Sequence, residues 1–274
     1  MKRKANLLFH FGFVKLLLVF ILGSWQNSFA AFEFNSNGAA SSGLGKIHFT
    51  LPSQVWLPGN SFLSSEQNGV AVSLRRKFGL AELDEGSLGI TYKKFGLDFA
   101  LGGRFFGDEV YRETEILFGA SYPVLENLKI SSTLRTLSLK IENYGSSTAF
   151  ALDFEALVSF GDFIFTNSFS NFTFTKVGNE TIPQVLVSSL FWKVSDRIQT
   201  VFEIEKDVDF PLSLHFGTQV SVVKGFYLRL GTQTEPEFYT GGFGVNFRRY
   251  SLDYSYSEHR ELGGTNEFTL SVNF

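Results

Sequence analysis

Residues 266–274 read Asn-Glu-Phe-Thr-Leu-Ser-Val-Asn-Phe, with Phe268, Leu270, Val272 and Phe274 on one face and Glu267, Thr269, Ser271 and Asn273 on the other. Strict period two with one apolar face is the mark of a strand. Residues 250–257 repeat it, setting Tyr250, Leu252, Tyr254 and Tyr256 against Ser251, Asp253, Ser255 and Ser257. So do 239–247, 212–223 and 148–160. From Ala31 onward the longest uninterrupted apolar run is Ala149–Leu152. A spanning helix needs about 20 residues, so any membrane crossing after Ala31 must use strands.

The alternation predicts fourteen strands, at 69–78, 87–95, 96–106, 111–122, 128–142, 147–160, 163–174, 184–194, 198–205, 212–223, 225–233, 238–248, 250–258 and 266–274. Most match the length that a tilted membrane strand requires. Short turns at 123–127, 161–162, 195–197, near 224 and at 249 alternate with more polar loops, as in barrels with short periplasmic turns and longer outer loops. An even strand count returns both ends of the wall to the same side. Segments 128–142 and 184–194 alternate poorly, which predicts bulges or register breaks there. A secreted β-sandwich also alternates. Here, however, apolar faces recur in nearly every strand with no quiet half of the chain, and a closed barrel satisfies every backbone group in lipid. The expected fold is all-β: a closed antiparallel transmembrane β-barrel of fourteen strands.

The chain opens with Lys2, Arg3 and Lys4, then a largely apolar stretch from Leu7 to Leu22, then Ser28-Phe29-Ala30. That is the layout of a secretory signal peptide cut after Ala30, with a signal anchor as the competing reading. The expected organisation is a signal peptide at 1–30, a plug or periplasmic segment at 31–68 and the barrel at 69–274. The charge balance of 24 Lys+Arg against 27 Asp+Glu argues against nucleic acid as a partner. With no Cys, disulfides, thiol catalysis and Cys-ligated metals are excluded.

The polar strand faces should line the lumen. They carry Arg75, Lys93, Asp98, Arg104, Glu113, Glu115, Asp153, Glu155, Glu203, Arg229, Asp253 and Glu267. Such charges could select permeating solutes, or pair into a lattice that fills and stiffens a narrow barrel. Residues 31–68 are rich in Gly, Ser and Asn with scattered Phe32, Phe34, Trp56 and Phe62. These apolar residues need cover, which favours a plug inside the barrel. No catalytic constellation stands out. His48, His215 and His259 have no zinc-like spacing, and neither H-E-x-x-H nor G-x-S-x-G occurs. His259 beside Glu258 could serve catalysis, but a solvated loop histidine is the favoured reading. No enzyme activity, metal or cofactor is expected.

Several segments carry a family resemblance: RKFGLAEL (76–83), YRETEILFGASYPVLENLKIS (111–131) and, most specifically, LGGTNEFTL (262–270). They resemble the PorV/PorQ-like outer-membrane proteins, relatives of the FadL-type fatty-acid channels, over most of 69–274. The resemblance implies a fourteen-stranded barrel. It also implies either passage of a small or hydrophobic solute through a plugged lumen or a subunit role in a type IX-like secretion machine. Leu270, Val272 and Phe274 resemble the signal read by the barrel-assembly machinery. Outer-membrane lipid is the expected surrounding.

Overall fold

In the computed structural model, which describes residues 31–178 and 180–274, the alternating segments close on one another. The expected signal peptide at 1–30 lies outside the described residues. The wall begins with β1 (Gly69–Arg76), β2 (Asp84–Lys94), β3 (Leu97–Gly107), β4 (Tyr111–Leu125), β5 (Leu128–Ile141), β6 (Gly145–Phe160) and β7 (Phe163–Phe169). A small hairpin, β8 (Lys176–Val177) with β9 (Glu180–Thr181), interrupts it. The wall resumes with β10 (Val185–Lys193), β11 (Ile198–Asp207), β12 (Ser213–Val223), β13 (Phe226–Gln233), β14 (Phe238–Phe247), β15 (Tyr250–His259) and β16 (Gly263–Asn273). Neighbouring wall strands pair antiparallel, and β16 closes on β1 with Val272 opposite Val70 and Phe268 opposite Leu74. This is the expected fourteen-stranded closed barrel. Among the described residues no helix is long and apolar enough to cross a membrane.

The two faces separate as the period demands. Leu74, Ile116, Phe118, Phe216, Leu230, Phe268 and Leu270 stand exposed on the outside, while Ser73, Glu115, His215 and Glu267 are buried on the inside. A soluble sandwich would bury the first set. Here it is a lipid-facing band. Exposed aromatic residues recur beside the short turns (Tyr92, Tyr122, Phe160, Trp192, Phe247 and Tyr250), as in the interfacial girdles of membrane barrels.

Two expectations are corrected. Strand β10 pairs in register on both sides, and β5 is irregular only at its start, where Leu128 and Lys129 face the Pro123/Leu125 shift of β4 beside a short turn; the other irregularity lies at Ser221/Val223. The poor alternation has another cause. Leu137, Leu139, Val187 and Phe191 face inward and are buried there, so apolar residues occupy both sides of these strands. The strand expected over 163–174 ends at Phe169. Asn171, fully buried with φ 54°, turns the chain inward and ties the turn together, donating to the Ile182 carbonyl and accepting from the Thr175 N–H. The following loop satisfies the free edge of β6: the Phe172 N–H donates to the Leu152 carbonyl at 2.8 Å and the Thr175 hydroxyl to the Phe150 carbonyl at 2.7 Å.

Residues 31–68 lie inside the barrel. Asn68, just before β1, accepts from the Phe274 N–H at the end carrying the short turns. From there the segment runs through the lumen to the loop end, where Ala31 and Phe32 pack with Leu137, Leu139, Val177 and Ile182. One short helix, α1 (Ala39–Ser42), is buried against β14–β16.

Candidate functional site: a plugged lumen beneath an outer vestibule

The inner wall holds the plug by polar bonds at its middle and by apolar packing around them. The Gly38 N–H donates to Glu267 at 2.7 Å, the Ala39 N–H to Thr269 Oγ1 at 2.8 Å and the Gly45 N–H to Thr240 Oγ1 at 2.8 Å. Arg75 donates to the Ser36 carbonyl. Phe49 stacks on the inward Phe191 with ring centroids 5.3 Å apart. Trp56 donates its indole N–H to the Asn60 carbonyl at 2.7 Å and meets Phe62 edge-on. Inward glycines give the plug room. A side chain at Gly89 would strike the Trp56 carbonyl, and one at Gly217 the Leu44 carbonyl. The Gly102-Gly103 pair works the same way on its inner member, which faces Pro58 and Trp56.

The structure places every lumen-lining candidate on the inner face. Five of them, joined by Glu85 and Arg135, form one chain of alternating charge across seven adjacent strands. Glu267 on β16 pairs with Arg75 on β1 (2.9 Å), Arg75 with Glu85 on β2 (3.4 Å), and Glu85 with Arg104 on β3 (3.9 Å). Arg104 then pairs with Glu115 on β4 (3.2 Å), Glu115 with Arg135 on β5 (2.5 Å), and Arg135 with Asp153 on β6 (3.5 Å). Glu85 and Arg135 were absent from the sequence-derived set, although both fall on the inward parity of their strands. Of the remaining candidates, Asp98 pairs with Lys93 (3.1 Å) and Lys129 (2.8 Å). Arg229 pairs with Asp253 at 2.6 Å, both fully buried. Glu113 accepts from the Tyr111 hydroxyl at 2.6 Å, Glu155 from the Ser61 hydroxyl of the plug, and Glu203 from the His48 N–H of the plug. The charges pair with one another and with the plug. Of Leu270, Val272 and Phe274 on the outer face, expected to carry an assembly signal, Leu270 and Phe274 are exposed and Val272 is half-buried.

Above the plug lies a vestibule of about 920 Å³, bounded by the loop ends of the wall and floored by Glu33, Phe34, Asn35, Lys46 and His48. Its sides mix apolar residues (Phe78, Leu139, Ile141, Phe210, Phe238, Leu262) with Lys77, Asp207 and Glu235. Lys46 reaches into it with its ammonium 3.4 Å from the centroid of the Phe238 ring. Burial, reinforced by the nearby Arg75 and Lys77, pulls the Lys46 amine down to about 7; the ring face favours the charge and works against that shift. A second cavity of about 60 Å³ lies between plug and wall, bordered by Trp56, Phe62, Arg104 and Leu117. Phe34, Asn35 and His48 border both cavities.

His259 and Glu258 do not pair. The His259 Nδ1 accepts the Glu261 and Leu262 N–H groups, capping its own loop, and Glu258 accepts from the Tyr256 hydroxyl. His48 and His215 are far apart in sequence yet meet inside the barrel, with ring centroids 6.1 Å apart. The readable signal was parity: Glu203, Glu205 and His215 all fall on inward positions, and Glu203 lies opposite His215 in register.

Together these features define an outer-membrane β-barrel whose lumen is closed by its own N-terminal segment. The fold is shared with solved channels. The TodX monoaromatic hydrocarbon channel, as a deltaS2S3 mutant, superposes with a TM-score of 0.60 at 11% identity, covering 89% of this chain and 100% of that one. The CymD monoaromatic hydrocarbon channel superposes at 0.56 with 12% identity, over 89% and 99%. The outer-membrane protein Omp33 of Acinetobacter baumannii superposes at 0.52 with 8% identity, over 76% and 98%. No family model and no curated protein matches the sequence.

Proposed function

We propose that this barrel passes a small, partly apolar solute across the outer membrane, taking it from outside into the vestibule and admitting it when the plug shifts. The observation that carries this reading is the position of the plug: it fills the lumen directly beneath a cavity of about 920 Å³, a volume within the range of small-molecule sites. The mixed lining suits a molecule with an apolar body and a few polar groups. The shared fold of two hydrocarbon channels supports a hydrophobic solute. The barrel needs outer-membrane lipid around its apolar band, and β16, carrying Leu270, Val272 and Phe274, is the strand offered to the assembly machinery. A subunit role in a secretion machine would call for a broad outer surface. Most outer loops are short, 108–110 and 142–144 being three residues each, and no feature of the geometry favours that role or the PorV/PorQ-like relationship over the channel.

Single-channel conductance in a planar bilayer tests the proposal. The full barrel should be silent or flicker rarely, and a variant lacking 31–68, shown to be folded, should give discrete steps. Silence in both would leave a filled lumen and contradict passage.

A further inference from the structure

We propose that His48, Glu203, Glu205 and His215 form a binding site for a divalent transition-metal ion of the zinc type, which fastens the plug to the barrel wall. The donors come from three segments. His48 belongs to the plug, Glu203 and Glu205 to β11, and His215 to β12. Glu203 and Glu205 are two residues apart and therefore share the inner face, and His215 lies directly across from Glu203.

The spacing fits coordination. Ligand atoms of His48, Glu203 and Glu205 all lie within 4.8 Å of one another, and His215 joins this compact set at its edge, through Glu205. His48 Nδ1 is 3.0 Å from Glu203 Oε1 and 3.4 Å from Glu205 Oε2, and His215 Nε2 is 3.4 Å from Glu205 Oε2. Two donors held about 2.0–2.1 Å from a tetrahedral zinc stand about 3.3–3.4 Å apart. The two longer separations are poor hydrogen bonds and good edges of such a tetrahedron.

His215 supplies a second, independent observation. Its Nδ1 lies 2.8 Å from the Gly45 carbonyl oxygen, which can only accept, so Nδ1 carries the proton. The lone pair of a neutral ring is then at Nε2. That atom is buried, has no hydrogen-bond partner, and faces the Glu205 carboxylate. A histidine with its far nitrogen tied to a backbone carbonyl is oriented as metal-binding histidines are. Glu203 is held in the same manner, accepting from the Ser189 hydroxyl at 2.6 Å and from the His48 N–H.

Charge points the same way. Among the described residues, neither Glu203 nor Glu205 has a Lys or Arg ion pair; their cationic partners are the two histidines alone. Two carboxylates enclosed with no Lys or Arg beside them are costly unless a cation neutralises them. One imidazole–carboxylate–carboxylate–imidazole set with N and O donors suits zinc better than calcium or magnesium, which prefer oxygen alone. The vestibule gives access, since His48, Glu205 and His215 all border it. The site is independent of the transport reading, because metal can bind whether or not a solute passes.

The test uses the folded full barrel in detergent, freed of metal and titrated with zinc chloride by calorimetry at neutral pH, with magnesium chloride as comparison. One zinc per barrel is expected, with little response to magnesium, and a loss of affinity of at least tenfold in Glu205→Gln and in His215→Gln. Cobalt(II) added to the unmutated barrel should give the intense visible bands of a four-coordinate site, a readout that needs no variant to fold. Absence of stoichiometric zinc binding, an octahedral cobalt spectrum, or unchanged zinc affinity in the folded variants would each overturn the proposal. The last result would assign the zinc to other residues, and a site in which protonated histidines alone neutralise the carboxylates would give the first.

Discussion

Gly217 and Gly241 show how much one missing side chain can mean in a wall that faces lipid on one side and a plug on the other. A Cβ at Gly217 would collide with the Leu44 carbonyl, whereas one at Gly241, on the outer face, would meet Leu230 at 3.6 Å and the Arg229 carbonyl at 3.7 Å, both ordinary contacts. Gly217→Val should therefore destabilise the plugged state by about 1–3 kcal/mol, the range for overpacking. Gly241→Val should change it little. Protease digestion of the folded barrel reads the difference, because a displaced plug exposes 31–68 to cleavage. The same residues mark the limit of sequence reading. Alternation assigns each glycine to a face, but nothing in a single sequence says which inward glycines face water and which face backbone. His48 and His215 illustrate the point further: their spacing along the chain carries no metal-like signal, and only closure of β12 around the plug brings them together.

At the scale of strands, the alternating charges from Glu267 to Asp153 behave as one element. Each arginine lies between two acids on neighbouring strands, and the whole row comprises four acids and three arginines. Glu115 holds two arginines at once, so Glu115→Gln leaves Arg104 without its closest partner and Arg135 with Asp153 alone. Breaking a buried pair from one side costs about 3–5 kcal/mol. Urea unfolding from lipid vesicles should show a loss of that order, whereas Glu113→Gln, which weakens a bond from a tyrosine hydroxyl, should show much less. Strand positions were legible because each strand carries its own period, independent of its neighbours. The pairing of charges was half legible: parity put them inside, but which acid meets which arginine depends on the stagger between strands. On β5 and β10 the pattern blurred for a definite reason. Their inward Leu137, Leu139 and Phe191 pack on the plug and its neighbours, so a blurred period in an otherwise clean barrel sequence marks where something apolar sits inside.

For the whole molecule, the central claim is that residues 31–68 occupy the lumen and close it. Phe32, Trp56 and Phe62 need cover from water, and inside the barrel all three are buried. Gly43 of the plug and Ser255 of β15 provide a direct test. A Cβ at Gly43 would stand 3.4 Å from the Ser255 Cβ, close to the separation that a disulfide bridges, and the chain has no cysteine to interfere. The decisive measurement is disulfide formation in Gly43→Cys/Ser255→Cys, read on the folded barrel by thiol titration and peptide mass after mild oxidation. The account predicts near-complete formation of the intramolecular bond, with the plug then locked against the wall until a reductant is added. Two free thiols in a folded, oxidised barrel would place the segment elsewhere and contradict it.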